Sequence, residues 1–451
     1  MKILFISPST RLINYDKNYF SLTYHLLGNV FYSSSLNFRM LTAVTPRKYD
    51  IKLIDEEYQK INYDEENDIV GIATTTPTAY RAYEIADEFR RRGITVVLGG
   101  CHSSALPEEA KQHADAVVIG EAELTWPQLL NDFQDGKLKP FYQNENPIDL
   151  KNIPSPDRKR LTNKQGFITE GIQATRGCSV GCSYCSLTNS SHGQIFRFRP
   201  VDHVIEEIKS IRQKILFFSD SSLTMNPSYT KELFKAMKNL NKKFSCSGNV
   251  NILNRDDELL KLASEAGCFA WGTGFESISQ ESIDFIGKKS NRVNEYESAV
   301  KKIHDFGMAV CGHFVFGLDG DHIDIFDKTL NAIHNWDLDL AQFHICTPFP
   351  GTPLFNFLEN EKRILTKDWL KYDTHHVVFR PKHMTPQELL DGMNKAYNDF
   401  YSSYNVVKRV RNYLMYGLYP FLILGSDNLF IKSDLKYLLK QKLINSSPDF
   451  K

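Results

Sequence analysis

The chain is 451 residues long, 42% hydrophobic and 24% charged, with 54 basic and 54 acidic side chains that balance to a formal net charge of zero. That length supports two or three domains, each burying its own core, and the charge balance excludes a nucleic-acid groove or an acidic interaction tail. No apolar run approaches the ~20 residues of a membrane span, and MKILFISPST passes into polar sequence without a small-residue cleavage site. A cytoplasmic protein is expected, with peripheral membrane association if its substrate is a lipid.

Residues 1–140 alternate short apolar runs with helical stretches. KILFIS, IKLID, DIVGIAT, TVVLGG and AVVIGE read as buried strands, and AYRAYEIADEFRRRG as a helix with a basic last turn and a closing glycine. Such alternation predicts a Rossmann-like, doubly wound parallel sheet. Ligands of these sheets sit at the carboxyl ends of the strands, which here carry SPST, TTTPT, GGCHSS and GEAEL. Residues 141–165 hold prolines among polar residues without periodicity and are expected to form a linker. Residues 166–370 hold a second series, FITEGIQATRG, ILFFSD, FSCSGNV, FAWGTGFES, AVCGHFVFGLD and LAQFHICTPFP. These six strands, with helical stretches between them, predict a partial (β/α)6 barrel whose chemistry lies at the carboxyl strand ends. Residues 371–451 read as mainly helical; the apolar YGLYPFLILG is too short for a membrane span and is expected to dock on the protein.

The stretch ATRGCSVGCSYCSLTNSS carries the strongest chemical signal. Cys178, Cys182 and Cys185 are spaced C-x3-C-x2-C just beyond the first strand of the second series. A structural zinc needs four ligands, and His192 is the only local candidate for the fourth. Three thiolates on a four-iron cubane instead leave one iron open, which makes a reagent rather than an electron relay. A [4Fe-4S] cluster is the expected occupant, with zinc or plain structural cysteine as the competing readings. Cys246, Cys268, Cys311 and Cys346 lie in apolar strands and are expected to be buried and structural.

With Tyr184 before the third cysteine, the stretch resembles the signature loop of the radical S-adenosylmethionine enzymes. The resemblance implies that the open iron is chelated by S-adenosyl-L-methionine, and that one-electron reduction cleaves the bound molecule to a 5′-deoxyadenosyl radical. It also implies contacts to this cosubstrate from Asp220 in FFSD, Ser247 and Asn249 in CSGNV, Glu276 in GFES, Lys288 beyond it, and Pro348 in CTPFPGTPLF. Relatives carry paired aspartates where this chain has Ser219 before Asp220.

VVLGGCHSSALPEEAKQHADAVVIGEAELTWPQLL resembles the cobalamin-binding domain fused to many radical enzymes. That likeness implies cobalamin contacts from Ser9, Thr10, Thr75, Thr76, Gly99, Gly100, Cys101, His102, Gly120, Glu121 and Glu123. Relatives commonly have proline where Cys101 stands. The D-x-H-x-x-G signature that supplies a histidine to cobalt is absent, since Asp373–His375 is the only D-x-H and Val378 replaces its glycine.

Across nearly the whole chain the likeness is to class B radical methyltransferases, including the hopanoid methylase group. It implies methylation of an unactivated carbon through methylcobalamin, with electrons from a flavodoxin or ferredoxin. The rival readings are a radical enzyme performing cyclisation or carbon–carbon coupling without cobalamin, and a non-catalytic cobalamin or iron–sulfur sensor. A small molecule, a lipid or a peptide all fit as substrate. Phe349, Phe355, Trp369 and Tyr372 are expected to shape its pocket, and no general acid or base is assigned.

Overall fold

A computed structural model describes residues 1–9, 36–161 and 169–440. The first sheet contains β1 (Lys2–Ser7), β2 (Asp50–Asp55), β3 (Ile69–Ala73), β4 (Thr95–Gly99), β5 (Ala116–Ile119) and β6 (Phe141–Gln143). Their spatial order is β2-β1-β3-β4-β5-β6, and each neighbouring pair is parallel. Alternate residues of β1 enter different cores. Leu4 and Ile6 pack with helix Ala79–Arg91 on one face, whereas Ile3 and Phe5 meet Phe38 and Trp126 on the other. A parallel strand buried on both faces has no polar position to spare, which explains the unbroken apolar runs.

The stretch expected to be a linker opens with a strand: β6 extends the sheet, with Phe141 in register with Val117 of β5. Three residues are too few to show a period, so tertiary pairing defines this strand.

The second sheet contains β7 (Thr169–Ile172), β10 (Ile215–Phe218), β11 (Lys243–Ser247), β12 (Cys268–Glu276), β13 (Ala309–Phe316) and β14 (Leu340–Ile345). These all-parallel strands follow one another in chain order, as in a barrel that stops after six. Each coincides with one of the six predicted runs. Between β7 and β10 the chain adds a short antiparallel pair, β8 (Thr175–Arg176) and β9 (Arg197–Phe198).

The C-terminal part is helical over Pro386–Phe400, Ser403–Asn412 and Leu418–Lys440. Thr385 and Glu388 close a capping box at the first of these. Ile423 and Leu424, within the YGLYPFLILG run, are buried against Ile215, Phe269, Ala309 and Leu340. Those partners lie at the amino ends of β10, β12, β13 and β14, so this helix floors the second sheet and leaves its carboxyl end open. Among the described residues, no helix is long and apolar enough to cross a membrane.

Of the aromatic residues expected to shape a substrate pocket, Phe355 and Trp369 are core residues instead, whereas Tyr372 both packs in the core and lines a cavity between the two domains. Phe355, Trp369 and Tyr372 pack against the first domain, in one cluster with Ala79, Tyr83 and Phe89. Trp369 also donates its indole N–H to Glu109 at 3.1 Å. The apolar outer face of helix Ala79–Arg91 needs cover, and the segment following β14 supplies it. Replacing Trp369 with alanine should cost about 3–5 kcal/mol of stability, the range for truncating a buried large aromatic, measured as a lowered denaturant midpoint.

Candidate active site

Cys178, Cys182 and Cys185 lie on the loop that β8 and β9 close at its base. Thr175 is in register with Phe198 there, and Arg176 with Arg197. Gly177 begins the loop at φ +84°, and a Cβ there would overlap the Ile195 carbonyl, so glycine is required. Two side chains gather the backbone of all three cysteines. Thr188 donates to the Cys178 carbonyl at 2.8 Å, and the Asn189 amide donates to Cys182 O at 3.0 Å and Cys185 O at 2.8 Å. Sequence reasoning missed Thr188 and Asn189, which look like ordinary polar loop residues; their proximity to the third cysteine was the only signal.

Burial pushes the Cys182 thiol up to about 12, although the Lys288 ammonium pulls the other way. Burial raises Cys185 as well. Thiolates in such a setting require adjacent cationic charge, which iron supplies. Among the described residues, no three or more Cys, His, Asp or Glu side chains converge as ligands of a single metal ion.

Beside the loop stands a buried ion pair. Glu276 ends β12 with its backbone at φ +64°, where the β12–β13 register shifts between Gly274 and Glu276. This conformation is costly for a non-glycine residue and is typical of functional sites. The Lys288 ammonium lies 2.6 Å from the Glu276 carboxylate and 2.8 Å from the Gly274 carbonyl. A side chain at Gly274 would strike both partners. Burial opposes ionisation of Glu276, but Lys288 and a hydrogen bond from Tyr184 hold its carboxyl below the ordinary value. Tyr184, Glu276 and Lys288 therefore form one group next to Cys182.

Asp220 is engaged by the backbone ahead of the cysteine loop. It accepts from the backbone N–H of Ala174 at 3.0 Å, from the Thr175 hydroxyl at 2.6 Å, and from Thr175 N–H. At 4% exposure, with its carboxyl pushed up to about 6 by burial, it ties down the backbone leading into the cysteine loop. Ser247 ends β11, and Asn249 begins helix Val250–Arg255, its N–H donating to Thr224 Oγ1 at 2.7 Å. Pro348 is buried just beyond β14. All three sit at carboxyl strand ends, level with the cysteine loop.

The first sheet presents its own carboxyl ends to the same region. A cavity of about 540 Å³ is lined by Thr75, Thr76 and Cys101 from the first domain and by Ser186, Asn189 and Phe349 from the second. A narrower, mostly apolar cavity of about 280 Å³ runs beside Gly99, Gly100 and Gly120, with Glu121 and Glu123 at its edge. Ser9 and His102 line neither. Ser9 bonds Glu56 through its N–H and hydroxyl. His102 is fully buried between Thr76, at 3.3 Å, and Glu109, at 3.2 Å, and braces the loop that carries it. Thr10 lies outside the described residues. Of the four dispersed cysteines, Cys246, Cys268 and Cys346 are buried as expected, whereas Cys311 is half-buried on β13.

Residues 172–333 match the Radical SAM superfamily, and residues 36–130 match the B12 binding domain. Bacteriochlorophyllide d C-12(1)-methyltransferase of Chlorobaculum tepidum is 32% identical over 391 residues, which cover 84% of this chain and 85% of that protein. Anaerobic magnesium-protoporphyrin IX monomethyl ester cyclase of Rubrivivax gelatinosus is 26% identical over 411 residues, or 80% and 72% of the two chains. Among solved structures, the radical S-adenosylmethionine methyltransferase TsrM from Kitasatospora setae, with cobalamin and a [4Fe-4S] cluster bound, superimposes with a TM-score of 0.69 at 14% identity. That match covers 97% of this chain and 99% of TsrM.

The chain belongs to the radical S-adenosylmethionine superfamily, in the branch that carries a B12-binding domain, and it is an enzyme. Its cofactors are those of that branch: a [4Fe-4S] cluster, S-adenosyl-L-methionine and cobalamin. The donor set fits them, with three thiols on one glycine-started loop and a glycine-lined slot opening beside the interdomain cavity.

Two variants test this architecture. Asn189→Ala frees the Cys182 and Cys185 carbonyls and should weaken iron retention about 10-fold, as loss of a residue that orients metal ligands does. Iron content after anaerobic reconstitution and chelator challenge reads it. Lys288→Met strands a buried carboxylate and should cost about 3–5 kcal/mol. Adding Glu276→Gln should recover part of that loss, a coupling that denaturant unfolding of the iron-free protein measures.

Proposed function

We propose that the protein is a cobalamin-dependent radical methyltransferase acting on an unactivated carbon of its substrate. The observation that carries this reading is the shared cavity: Thr75 and Cys101 stand on one wall, and Ser186 and Asn189 of the cysteine loop on the other. When bound, the cluster supplies the electron that cleaves S-adenosylmethionine, and cobalamin supplies the methyl group.

The protein's own residues hold, orient and shield. Cys178, Cys182 and Cys185 would hold the cluster through their three thiolates. Glu276, kept ionised by Lys288 and turned inward by its left-handed backbone, offers a fixed acceptor for the cosubstrate's hydroxyls or ammonium. Tyr184 also bonds that carboxylate. Asp220 acts one step back, by fixing Ala174 and Thr175 ahead of the cysteines. Phe349 and the turn that follows it close one side of the cavity, limiting water where a carbon radical must survive. Electrons come from a flavodoxin or ferredoxin, and the enzyme works in the cytoplasm.

The 26% identity to a cyclase supports a second reading, in which the same radical leads to ring closure. Anaerobically reconstituted protein, given cobalamin, S-adenosylmethionine and a low-potential reductant, separates the two. Methyl transfer predicts that both 5′-deoxyadenosine and S-adenosylhomocysteine accumulate. If cobalamin is retained and 5′-deoxyadenosine forms without S-adenosylhomocysteine, the methyltransferase reading fails.

A further inference from the structure

The arginines that face each other across the base of the cysteine loop are both held by the cobalamin-binding domain. Arg176 and Arg197 are register partners in the β8–β9 pair. Arg197 grips Glu121 with both terminal nitrogens, at 2.7 and 2.9 Å. Arg176 bonds Glu121 at 3.3 Å, and Glu123 as well. The two carboxylates follow β5 directly, and all four side chains are at least four-fifths buried. Gly120, just before them, faces the Ser191 side chain of the cysteine loop.

The clamp also borders a ligand space. Glu121, Glu123, Arg176 and Gln173 form the polar edge of the 280 Å³ cavity, whose other walls include Phe5, Val97 and Trp126. Gln173 in turn accepts from Arg176 at 2.9 Å. A molecule filling that slot touches Arg176, and Arg176 is two residues from Cys178. A plain domain linker needs neither the link to the loop's base nor the link to the slot.

We propose that Glu121, Glu123, Arg176 and Arg197 are positioning residues that couple occupancy of the cobalamin-binding domain to the order of the cysteine loop. Bound cobalamin supports the carboxylates from the slot side, the carboxylates hold both arginines, and the arginines fix the two ends of the loop. The bidentate Arg197–Glu121 pair suits this role because its planar fork fixes orientation as well as distance. The loop then becomes rigid only when the domain opposite is loaded, which keeps radical chemistry from running without its second cofactor. The inference rests on both cofactors being bound and is independent of whether the reaction transfers a methyl group.

The test is hydrogen–deuterium exchange on the cluster-reconstituted full chain under anaerobic conditions, with hydroxocobalamin as the probe. In the unaltered protein, cobalamin should slow exchange across residues 177–193 by about 10-fold, a change of the size expected when a local opening is suppressed. In Arg197→Gln, whose side chain does not line the slot, cobalamin still binds by its visible spectrum but that slowing is lost, while exchange in β12 and β13 stays unchanged. Equal protection in the variant, or none in the unaltered protein, overturns the proposal. So does exchange that is raised to the same extent with and without cobalamin, the mark of a merely structural role. Should Arg197→Gln fail to fold, Arg197→Lys decides on the same readout. It keeps the charge but not the fork, and full cobalamin-dependent protection there also overturns the proposal.

Discussion

Three thiols within residues 178–185 repel one another once ionised, and the surrounding structure is arranged around that cost. The loop's backbone is neither helix nor strand, and Thr188 and Asn189 take up the carbonyls of all three cysteines. Lys288, whose positive charge acts on Cys182, is committed to Glu276 at 2.6 Å. The pair brings little net charge to the thiols, leaving iron as the cation that makes thiolates affordable. Burial of Cys182 strengthens this selection, because a thiol so disfavoured as an anion holds its proton against anything weaker.

A second requirement is that two large cofactors face each other with water kept out. Two parallel sheets achieve this when their carboxyl ends point at a common space. The first sheet is closed off from solvent by Phe355, Trp369 and Tyr372, and the second is floored by Ile423 and Leu424. Each domain therefore has one face left for chemistry. Ionic contacts hold those faces together: the Arg39–Glu170 pair at 2.7 Å joins the first domain to the start of β7, and the Glu121–Arg197 pair joins it to the loop itself. Buried ion pairs are poor sources of net stability, but they specify geometry, because a displaced partner leaves an uncompensated charge.

The functional strain is local. Glu276 sits in a left-handed conformation that its residue type disfavours, held by a register shift, by Lys288 and by Tyr184. His102 and Asp220 show the complementary case: polar residues near strand ends that bond within the protein and brace the loops beside them.

The sequence by itself determined the two parallel-sheet domains, all six strands of the second series, and the cysteine loop. Those features are written in local terms, as apolar runs, turn residues and the fixed spacing of Cys178, Cys182 and Cys185. Tertiary structure alone decided the three-residue strand β6, the core role of Phe355, Trp369 and Tyr372, and the pairing of Glu121 and Glu123 with Arg176 and Arg197. Each of these depends on partners distant along the chain, and a carboxylate at a strand end reads the same whether it meets a ligand or an arginine. Spacing along the chain fixes what a loop can bind, whereas burial and charge pairing across the fold fix which side chains remain free to bind it.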